Sequence, residues 1–331
     1  MSRLLLRLVP CLVAGFAQAQ TREVPSNPVP TGRMIDIGGR HLHMACSGEG
    51  SPAVILVHGT GAFSFDWALV QSRVTSNRVC SYDRAGHAWS DPVPAAQTYR
   101  QMADDLHELL LRSGEKGPFV LVGHSAGGGM VRVYAATYPN DVAGAVLVET
   151  GHPDGLEIIN GKLVRVRTLS DLVPPGLSSG KSPGSARPVG PARIEPSYDK
   201  LPADAQRLRL WGQVEGKLPA SSAEAQVDSI SQLRAAQAMG DQLFGDKPLL
   251  VISRAIGGYR PIRGIVSEEQ AATLERERVE HNAELLQLSR NSGAVVASDS
   301  GHDVHLDRPE IVAKAIGDVT NAVNRHSMLK Q

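Results

Sequence analysis

A serine lies between two glycines at the point where an apolar run meets a helix-like segment. The run from Phe119 to Val122 is short and β-branched, and Gly123 and Gly127 stand two positions before and after Ser125. A hydroxyl is a useful nucleophile only when it is held exposed and close to a base. A strained strand-to-helix turn holds it that way, and small residues fit its crowded flanks. The pattern predicts a nucleophile elbow at Ser125.

A plain glycine turn is the alternative interpretation, because the motif is short and the chain contains 33 glycines. The neighbouring segments favour the elbow. A β-like run precedes the serine, a helix-like segment from Met130 to Tyr138 follows it, and Pro139 would end that helix.

A histidine that follows a late apolar run is the predicted base for this serine. His302 comes directly after Gly301, in the loop that follows residues 294–297. His305 is its competitor, although it lies further from the end of the run and could enter the next helical turn. A serine followed later by a histidine is the chain order of one known catalytic arrangement. We therefore assign the role of base to His302.

Attack by a serine on a carbonyl places negative charge on an oxygen, which two backbone amides could stabilise. One is the amide of Ala126, directly after the serine. The other is the amide of Thr60, in a loop where Gly59 and Gly61 would let the backbone approach a substrate. Three side chains are candidates for lining a substrate pocket, with packing as the alternative for each: Trp67, His124 and His152.

Eight short apolar or alternating runs predict the strands that would position these groups. They are residues 34–37, 41–45, 53–57, 78–82, 119–122, 145–148, 248–252 and 294–297. Helix signals fall between them, such as the capping box Thr98-x-x-Gln101 and a helix start at Pro309. A hairpin followed by alternating strands and helices indicates an α/β fold with a mostly parallel sheet. Its ligands would bind at the carboxyl ends of the strands.

The stretch 155–245 breaks this alternation and is predicted to be a lid inserted between core strands. Its first half is rich in proline and glycine, and a disordered loop is the alternative for residues 172–196. Its second half carries a helix signal at Ser221-x-x-Glu224. Long insertions into compact domains are often lids over a binding site.

Composition argues against several other classes of protein. The 331 residues carry 34 basic and 34 acidic side chains without a basic stripe, so nucleic acid and acidic membrane surfaces are not expected as partners.

His41 and His43 could form a metal pair, but no third ligand accompanies them. We therefore predict no metal.

The first residues indicate export. Arg3 and Arg7, an apolar stretch and Ala17-x-Ala19 together predict a secretory signal peptide over residues 1–19, with a linker over 20–33. The mature chain would be periplasmic or extracellular, without a stable membrane anchor. An oxidising compartment would allow its two cysteines, Cys46 and Cys80, to pair. Two buried free thiols are the alternative, which we favour.

Four segments resemble the α/β-hydrolase fold superfamily in its lidded, esterase- and lipase-like form. They are His58-Gly59-Thr60-Gly61, the segment from Tyr82 to Ser90, Gly123-x-Ser125-x-Gly127 and Ser300-Gly301-His302. The resemblance extends over about residues 34–323, except for the lid. It implies an eight-stranded sheet with helices on both faces and the lid before the last two core strands. The core would comprise residues 34–154 and 246–331. It also implies no cofactor and a triad of serine, histidine and acid that works through an acyl-enzyme.

The acid of that triad is the least obvious member. The family usually places it after the strand that corresponds to residues 248–252, but the loop 253–260 has no carboxylate. Some members place it after the preceding core strand, where this chain has Glu149. An acid there could orient His302 and stabilise its charged form. We predict Glu149, with Glu268, Glu269 and Asp299 as fallbacks.

The sequence thus predicts an exported serine hydrolase that cleaves a carboxylic ester of a small molecule. Amide or peptide cleavage, lactone opening and acyl transfer stay open, because the same triad can perform them. A non-catalytic ligand-binding protein on a hydrolase scaffold is a further alternative, since fold does not determine function.

Overall fold

The computed structural model describes residues 26–172, 192–217, 222–255 and 266–329. The predicted signal peptide, the first part of the linker and most of the stretch 172–196 lie outside the described residues. The strands are β1 (Arg33–Asp36), β2 (His41–Ser47), β3 (Val54–Val57), β4 (Val79–Tyr82), β5 (Phe119–His124), β6 (Val142–Val148), β7 (Leu156–Ile159), β8 (Lys162–Arg165), β9 (Leu249–Arg254) and β10 (Ser292–Ala297). The α-helices are α1 (Ala68–Gln71), α2 (Tyr99–Ser113), α3 (Ala126–Thr137), α4 (Leu169–Leu172), α5 (Ala203–Val214), α6 (Ala223–Gln237), α7 (Glu268–Leu286), α8 (Val304–Asp307) and α9 (Pro309–Arg325). Short 3₁₀ helices span Ser64–Trp67, Pro139–Asp141, Tyr198–Lys200 and Gly240–Gln242.

Eight of these strands form one sheet in the order β1-β2-β4-β3-β5-β6-β9-β10. β1 and β2 form the predicted hairpin and β2 runs antiparallel to β4, whereas the six strands from β4 to β10 in this order run parallel to one another. All eight predicted strands are therefore confirmed, with ends that differ from the apolar runs by a few residues. The carboxyl ends of the six parallel strands meet at one edge, where sheets of this kind bind their ligands.

Helices cover both faces of the sheet because side chains of each central strand alternate between two cores. In β3, Ile55 and Val57 pack in one core with α2 and α3, while Val54 and Leu56 pack in the other with α1 and α9. All four are fully buried, as expected for a strand with both faces covered. The helix signals also hold, since Thr98 caps α2 and Pro309 begins α9.

The insertion between β6 and β9 contains the hairpin β7-β8 and the helices α4, α5 and α6. Its last helix is not a free-standing lid, because Leu233 and Ala236 of α6 belong to the same buried cluster as Leu106 of α2. The hydroxyl that caps α6 belongs to Ser222 and accepts from the Ala225 amide, one residue after the predicted cap. The sequence did not indicate the hairpin β7-β8.

Cys46 and Cys80 form a disulfide, so the expectation of two free thiols was wrong. The two residues are direct partners in the antiparallel pair β2 and β4, with Cα atoms 4.0 Å apart. Strand register creates this proximity between residues 34 positions apart.

Among the helices of the described ranges, none has both the length and the apolar character needed to cross a bilayer.

Candidate active site

Ser125 stands between β5 and α3, where the predicted elbow is present. Its backbone has φ 53° and ψ −123°, a region that residues other than glycine rarely adopt. The Ser125 amide donates to Val148 O at 3.0 Å, and its carbonyl accepts from the Gly128 amide at 3.0 Å and from Thr150 Oγ1 at 2.8 Å. The hydroxyl does not cap the helix that it precedes. The turn is thus held through the backbone, which leaves the serine side chain available.

The glycines around the serine are required by close backbone contacts. A Cβ at Gly123 would lie 2.5 Å from Gly127 O, and a Cβ at Gly127 would lie 2.3 Å from Val57 O. Real Cβ atoms do not approach backbone atoms this closely. The first turn of α3 therefore packs directly on the ends of β3 and β5, as the motif predicts.

The loop after β3 lies beside Ser125. A Cβ at Gly59 would be 3.1 Å from Ser125 Cβ. Thr60 follows in this loop, and neither its amide nor that of Ala126 donates to a backbone acceptor in the described part of the chain. The amino-terminal end of α3 adds a partial positive charge at the same place. The loop that carries Thr60 thus approaches Ser125 at Gly59, and the Ala126 amide follows Ser125 directly in the chain.

His302, rather than His305, has the exposure that a base needs. The His302 side chain is exposed, and its ring centre lies 4.8 Å from that of His124. His305 is 2% exposed in α8, with its ring against His124 at 4.3 Å and against Trp67 at 4.8 Å. Burial, and then the neighbouring charge of His124, lowers the pKa of His305 far below its usual value, so its ring stays neutral. His302 and Ser125 make no hydrogen bond in this structure, and sites of this kind often tighten only around a substrate.

His124 connects the elbow to the histidine loop. It is 3% exposed, and its Nε2 lies 2.9 Å from the carbonyl oxygen of His302. Burial, followed by the charge of His302, lowers the pKa of His124 to about 3. A neutral His124 can donate from Nε2 to that carbonyl. This hydrogen bond connects the loop of His302 to the residue before Ser125. Its contacts therefore show a packing and anchoring role.

Glu149 lies at the carboxyl end of β6, as predicted, but its carboxylate contacts Arg254. The Arg254 amide donates to Glu149 Oε2 at 2.6 Å, and the guanidinium pairs with Oε1 at 3.2 Å. Glu149 is 7% exposed and has φ 44°. Within the described residues, no hydrogen bond or ion pair joins Glu149 to His302. Arg254 is the last residue of β9, the strand after which the family usually carries its acid, and a sequence search for carboxylates does not detect an arginine.

The fallback acids lie elsewhere. Glu268 and Glu269 are exposed in the first turn of α7, and Asp299 is exposed and pairs with Arg308 at 3.1 Å. Asp303, which the sequence did not single out, is closer to the site. Its Oδ1 lies 4.0 Å from His124 Nε2. Burial raises the pKa of Asp303, against the opposing effects of the His302 charge and the Tyr198 hydroxyl.

Two predicted pocket residues have well-defined packing. Trp67 is 1% exposed and packs in the core beside His124 and His305. His152 stacks on His281 with ring centres 4.1 Å apart, and its Nε2 lies 3.2 Å from a Glu284 carboxylate oxygen. Burial, then the charge of His281, lowers the pKa of His152 to about 4. Trp67 is thus a core side chain that packs against His124, the residue before Ser125.

His41 and His43, the two histidines that were weighed as a metal pair, contact different carboxylates. His41 Nδ1 lies 3.2 Å from an oxygen of Asp91, whereas His43 Nδ1 lies 2.7 Å from an oxygen of Asp83. Two other groups of potential ligands occur in the described residues. One contains the disulfide cysteines, and the other comprises His124, Asp303 and His305, whose ligand atoms lie within 4.8 Å of one another. His124 already uses Nε2 on the carbonyl of His302.

Comparison with known proteins finds a match to a protein-family model. Residues 54–315 match the model of the "Alpha/beta hydrolase family". The chain is 27% identical over 307 residues to a "Probable transporter efuK" from Hormonema carpetanum, a match that covers 86% of this chain and 42% of that protein. It is 36% identical over 118 residues to a "Bifunctional esterase/perhydrolase DCH" from Acinetobacter calcoaceticus, covering 32% of this chain and 42% of that protein. The chain therefore spans less than half the length of either relative.

A solved structure shares the fold. The thermophilic esterase from Thermogutta terrifontis superposes with a TM-score of 0.56 at 24% sequence identity. The superposition covers 86% of this chain and 94% of that one. At this identity the likeness concerns the arrangement of the sheet and its helices.

Proposed function

Because the chain belongs to the α/β-hydrolase family, we propose that it is a serine hydrolase that cleaves a carboxylic ester through an acyl-enzyme. The observation that carries the proposal is the elbow, in which a backbone-held Ser125 lies beside the Gly59 loop. The matched esterase/perhydrolase points to the same class of bond. The substrate would be a small molecule, and no cofactor is needed for this chemistry.

The first half of the reaction transfers the acyl group to the enzyme. Ser125 Oγ attacks the carbonyl carbon, and its proton passes to a ring nitrogen of His302. The carbonyl oxygen becomes an anion, to which the amides of Thr60 and Ala126 donate. When the intermediate collapses, the bond from carbon to the alcohol oxygen breaks and His302 returns the proton to that oxygen. An alcohol leaves, and Ser125 carries the acyl group as an ester.

The second half releases the acid. Water attacks the acyl carbon while His302 takes one of its protons, and the same two amides stabilise the new oxyanion. The bond to Ser125 Oγ then breaks and His302 returns the proton to the serine. The His302 ring can exchange protons with bulk water in each half of the reaction, because the side chain is exposed.

We also propose Glu149 as the acid that supports His302. Its position supports this assignment, since it is buried at the end of β6, next to the strand of the elbow. The Arg254 amide and guanidinium hold this carboxylate in place at the carboxyl end of the strand. Glu149→Gln keeps the shape but removes the charge, and we expect kcat to fall by about 10⁴-fold, as for the amide substitution in a well-studied triad. Asp303→Asn is the comparator, and a loss confined to that variant would transfer the role to Asp303.

Export forms part of the proposal. Residues 1–19 would be removed as a signal peptide, which places the mature chain in the periplasm or outside the cell. The disulfide between Cys46 and Cys80 supports this location, because such bonds persist in oxidising compartments. Mass spectrometry of the protein from cell fractions tests it, since a mature amino terminus at Gln20 is expected.

Hydrolysis of p-nitrophenyl esters over a range of acyl lengths tests the central proposal. Wild type should turn over, and Ser125→Ala should lose activity while it keeps the thermal midpoint of wild type. A fluorophosphonate probe separates the alternatives, because it labels an activated serine whatever acyl bond the enzyme prefers. Labelling without ester turnover would indicate an amidase, a lactonase or an acyltransferase. A wild type that is neither active nor labelled would leave a ligand-binding protein.

A further inference from the structure

Arg84 is a buried guanidinium that binds two successive carbonyls of the loop beside the nucleophile. It follows β4 and is 7% exposed. Its Nη1 donates to His58 O and its Nη2 donates to Gly59 O at 3.0 Å. In the described part of the chain no carboxylate pairs with this guanidinium, and its buried Nε has no hydrogen-bond partner.

The adjacent aspartate, Asp83, makes no ion pair with Arg84. The Asp83 carboxylate contacts His43 Nδ1 at 2.7 Å and accepts from the Ser64 amide at 2.8 Å and the Ser64 hydroxyl at 3.0 Å. A buried charge without a counter-charge costs free energy. Within the described residues, the Arg84 guanidinium donates only to backbone carbonyls, so loop packing by itself does not account for a buried charge at this position.

The peptide that Arg84 binds is the one that carries the predicted oxyanion donor. The carbonyl of Gly59 and the amide of Thr60 belong to the same planar unit, and this peptide is trans. In a trans peptide the C=O and N–H bonds point in opposite directions. A guanidinium on Gly59 O therefore fixes the direction of the Thr60 N–H and turns it away from Arg84. The second bond, to His58 O, removes the remaining freedom of the loop to rotate.

We propose that Arg84 is a positioning residue for the oxyanion hole, and the inference rests on the proposed serine-hydrolase function. It holds the Gly59–Thr60 peptide in the orientation that the transition state needs, and its charge polarises that peptide so that the Thr60 N–H is a stronger donor. Both effects favour developing negative charge more than the neutral ester. Loss of Arg84 should consequently lower kcat more than it raises KM.

The geometry also predicts how lysine performs at this position. A guanidinium presents several donors in a fixed plane, whereas an ammonium is a point charge on a flexible chain. Arg84→Lys keeps the charge but loses the fixed fork that binds both carbonyls. Its kcat should lie between those of wild type and Arg84→Ala.

Arg78 provides a matched control at the other end of the same strand. It precedes β4, donates to Gly48 O at 3.2 Å and pairs with Glu115 at 2.8 Å. Arg78→Ala thus removes an arginine that binds a backbone carbonyl directly after β2, remote from the carboxyl end where Ser125 lies. Its kcat should equal that of wild type.

The experiment measures ester turnover, inhibition by a boronic acid and recovery by added guanidinium ion at millimolar concentration. A boronic acid forms a tetrahedral anionic adduct with an active serine, so its affinity reports on the oxyanion hole. Arg84→Ala should lower kcat by about 10²–10³-fold, the scale of losing one oxyanion donor. Boronic acid affinity should fall in parallel. Guanidinium should restore part of kcat, while methylammonium should not.

One set of outcomes would overturn the role of Arg84, and another would overturn the proposed function. If Arg84→Ala keeps the kcat of wild type, or loses kcat without losing boronic acid affinity and without recovery by guanidinium, Arg84 is only structural. If Arg84→Ala does not fold, Arg84→Lys carries the same comparison. A wild type that neither hydrolyses esters nor reacts with a fluorophosphonate would overturn the proposed function, and the role of Arg84 would fall with it.

Discussion

Replacing Gly127 by alanine tests whether the elbow is held by direct backbone contact. The added Cβ would lie 2.3 Å from Val57 O and 2.8 Å from His58 O. Both obstacles are backbone atoms, so no side chain can swing away to make room. Either α3 or the end of β3 must move.

The magnitude follows from two opposing effects. Alanine is favoured over glycine in a helix by about 0.5–1 kcal/mol. Overpacking a tight contact costs about 1–3 kcal/mol, and contact with rigid backbone lies at the upper end of that range. We expect Gly127→Ala to lose about 2 kcal/mol of unfolding free energy. The end of β3 also carries the oxyanion loop, so fluorophosphonate labelling of Ser125 should slow by about 10-fold or more.

Gly317→Ala is the matched control. Gly317 lies within α9, and a Cβ there meets no atom within 4 Å. The same chemical change should therefore raise stability by about 0.5–1 kcal/mol and leave labelling unchanged. Urea unfolding and labelling rates of the two variants and wild type provide the comparison. The reasoning is refuted if Gly127→Ala is as stable as wild type and is labelled equally fast.

Three further predictions concern the disulfide, the buried histidines and the Glu149 ion pair. Reducing the bond between Cys46 and Cys80, or replacing both by alanine, should lower the unfolding free energy by about 3–4 kcal/mol because the bond closes a loop of 34 residues; an unchanged urea midpoint would contradict this. Burial lowers the pKa of five histidines, so as the pH falls from 7.5 to 5.5 the unfolded chain takes up protons that the folded chain does not, and the free energy of unfolding decreases. They are His58, His87, His124, His152 and His305. Asp66 opposes them, because burial raises its pKa to about 6 and its protonation stabilises the fold as the pH falls. Five histidines outweigh one aspartate, so the urea midpoint should be lower at pH 5.5 than at pH 7.5, and an unchanged midpoint would contradict this. Arg254→Met should cost about 3–5 kcal/mol by leaving the Glu149 carboxylate buried without its guanidinium, and the double variant with Glu149→Gln should recover part of that loss in a double-mutant cycle.

The elements that short sequence patterns encode were predictable. Eight apolar or alternating runs became the eight strands. The central strands β3, β4 and β5 are buried along their whole length, which explains why their runs are apolar. Gly123 and Gly127 identified the elbow because a two-residue spacing is local and the turn excludes any Cβ there. Thr98 and Pro309 marked the helix starts through their own backbone chemistry.

The partners of individual side chains were decided only by the tertiary structure. Glu149 contacts Arg254 across 105 residues of sequence, because β6 and β9 are neighbours in the sheet. Cys46 meets Cys80 through strand register. Arg84 reaches the carbonyls of the oxyanion loop rather than the adjacent Asp83. Apolar periodicity specifies which faces are buried, whereas a hydrogen bond depends on the position of two groups to within a fraction of an ångström, and packing of distant segments sets that position.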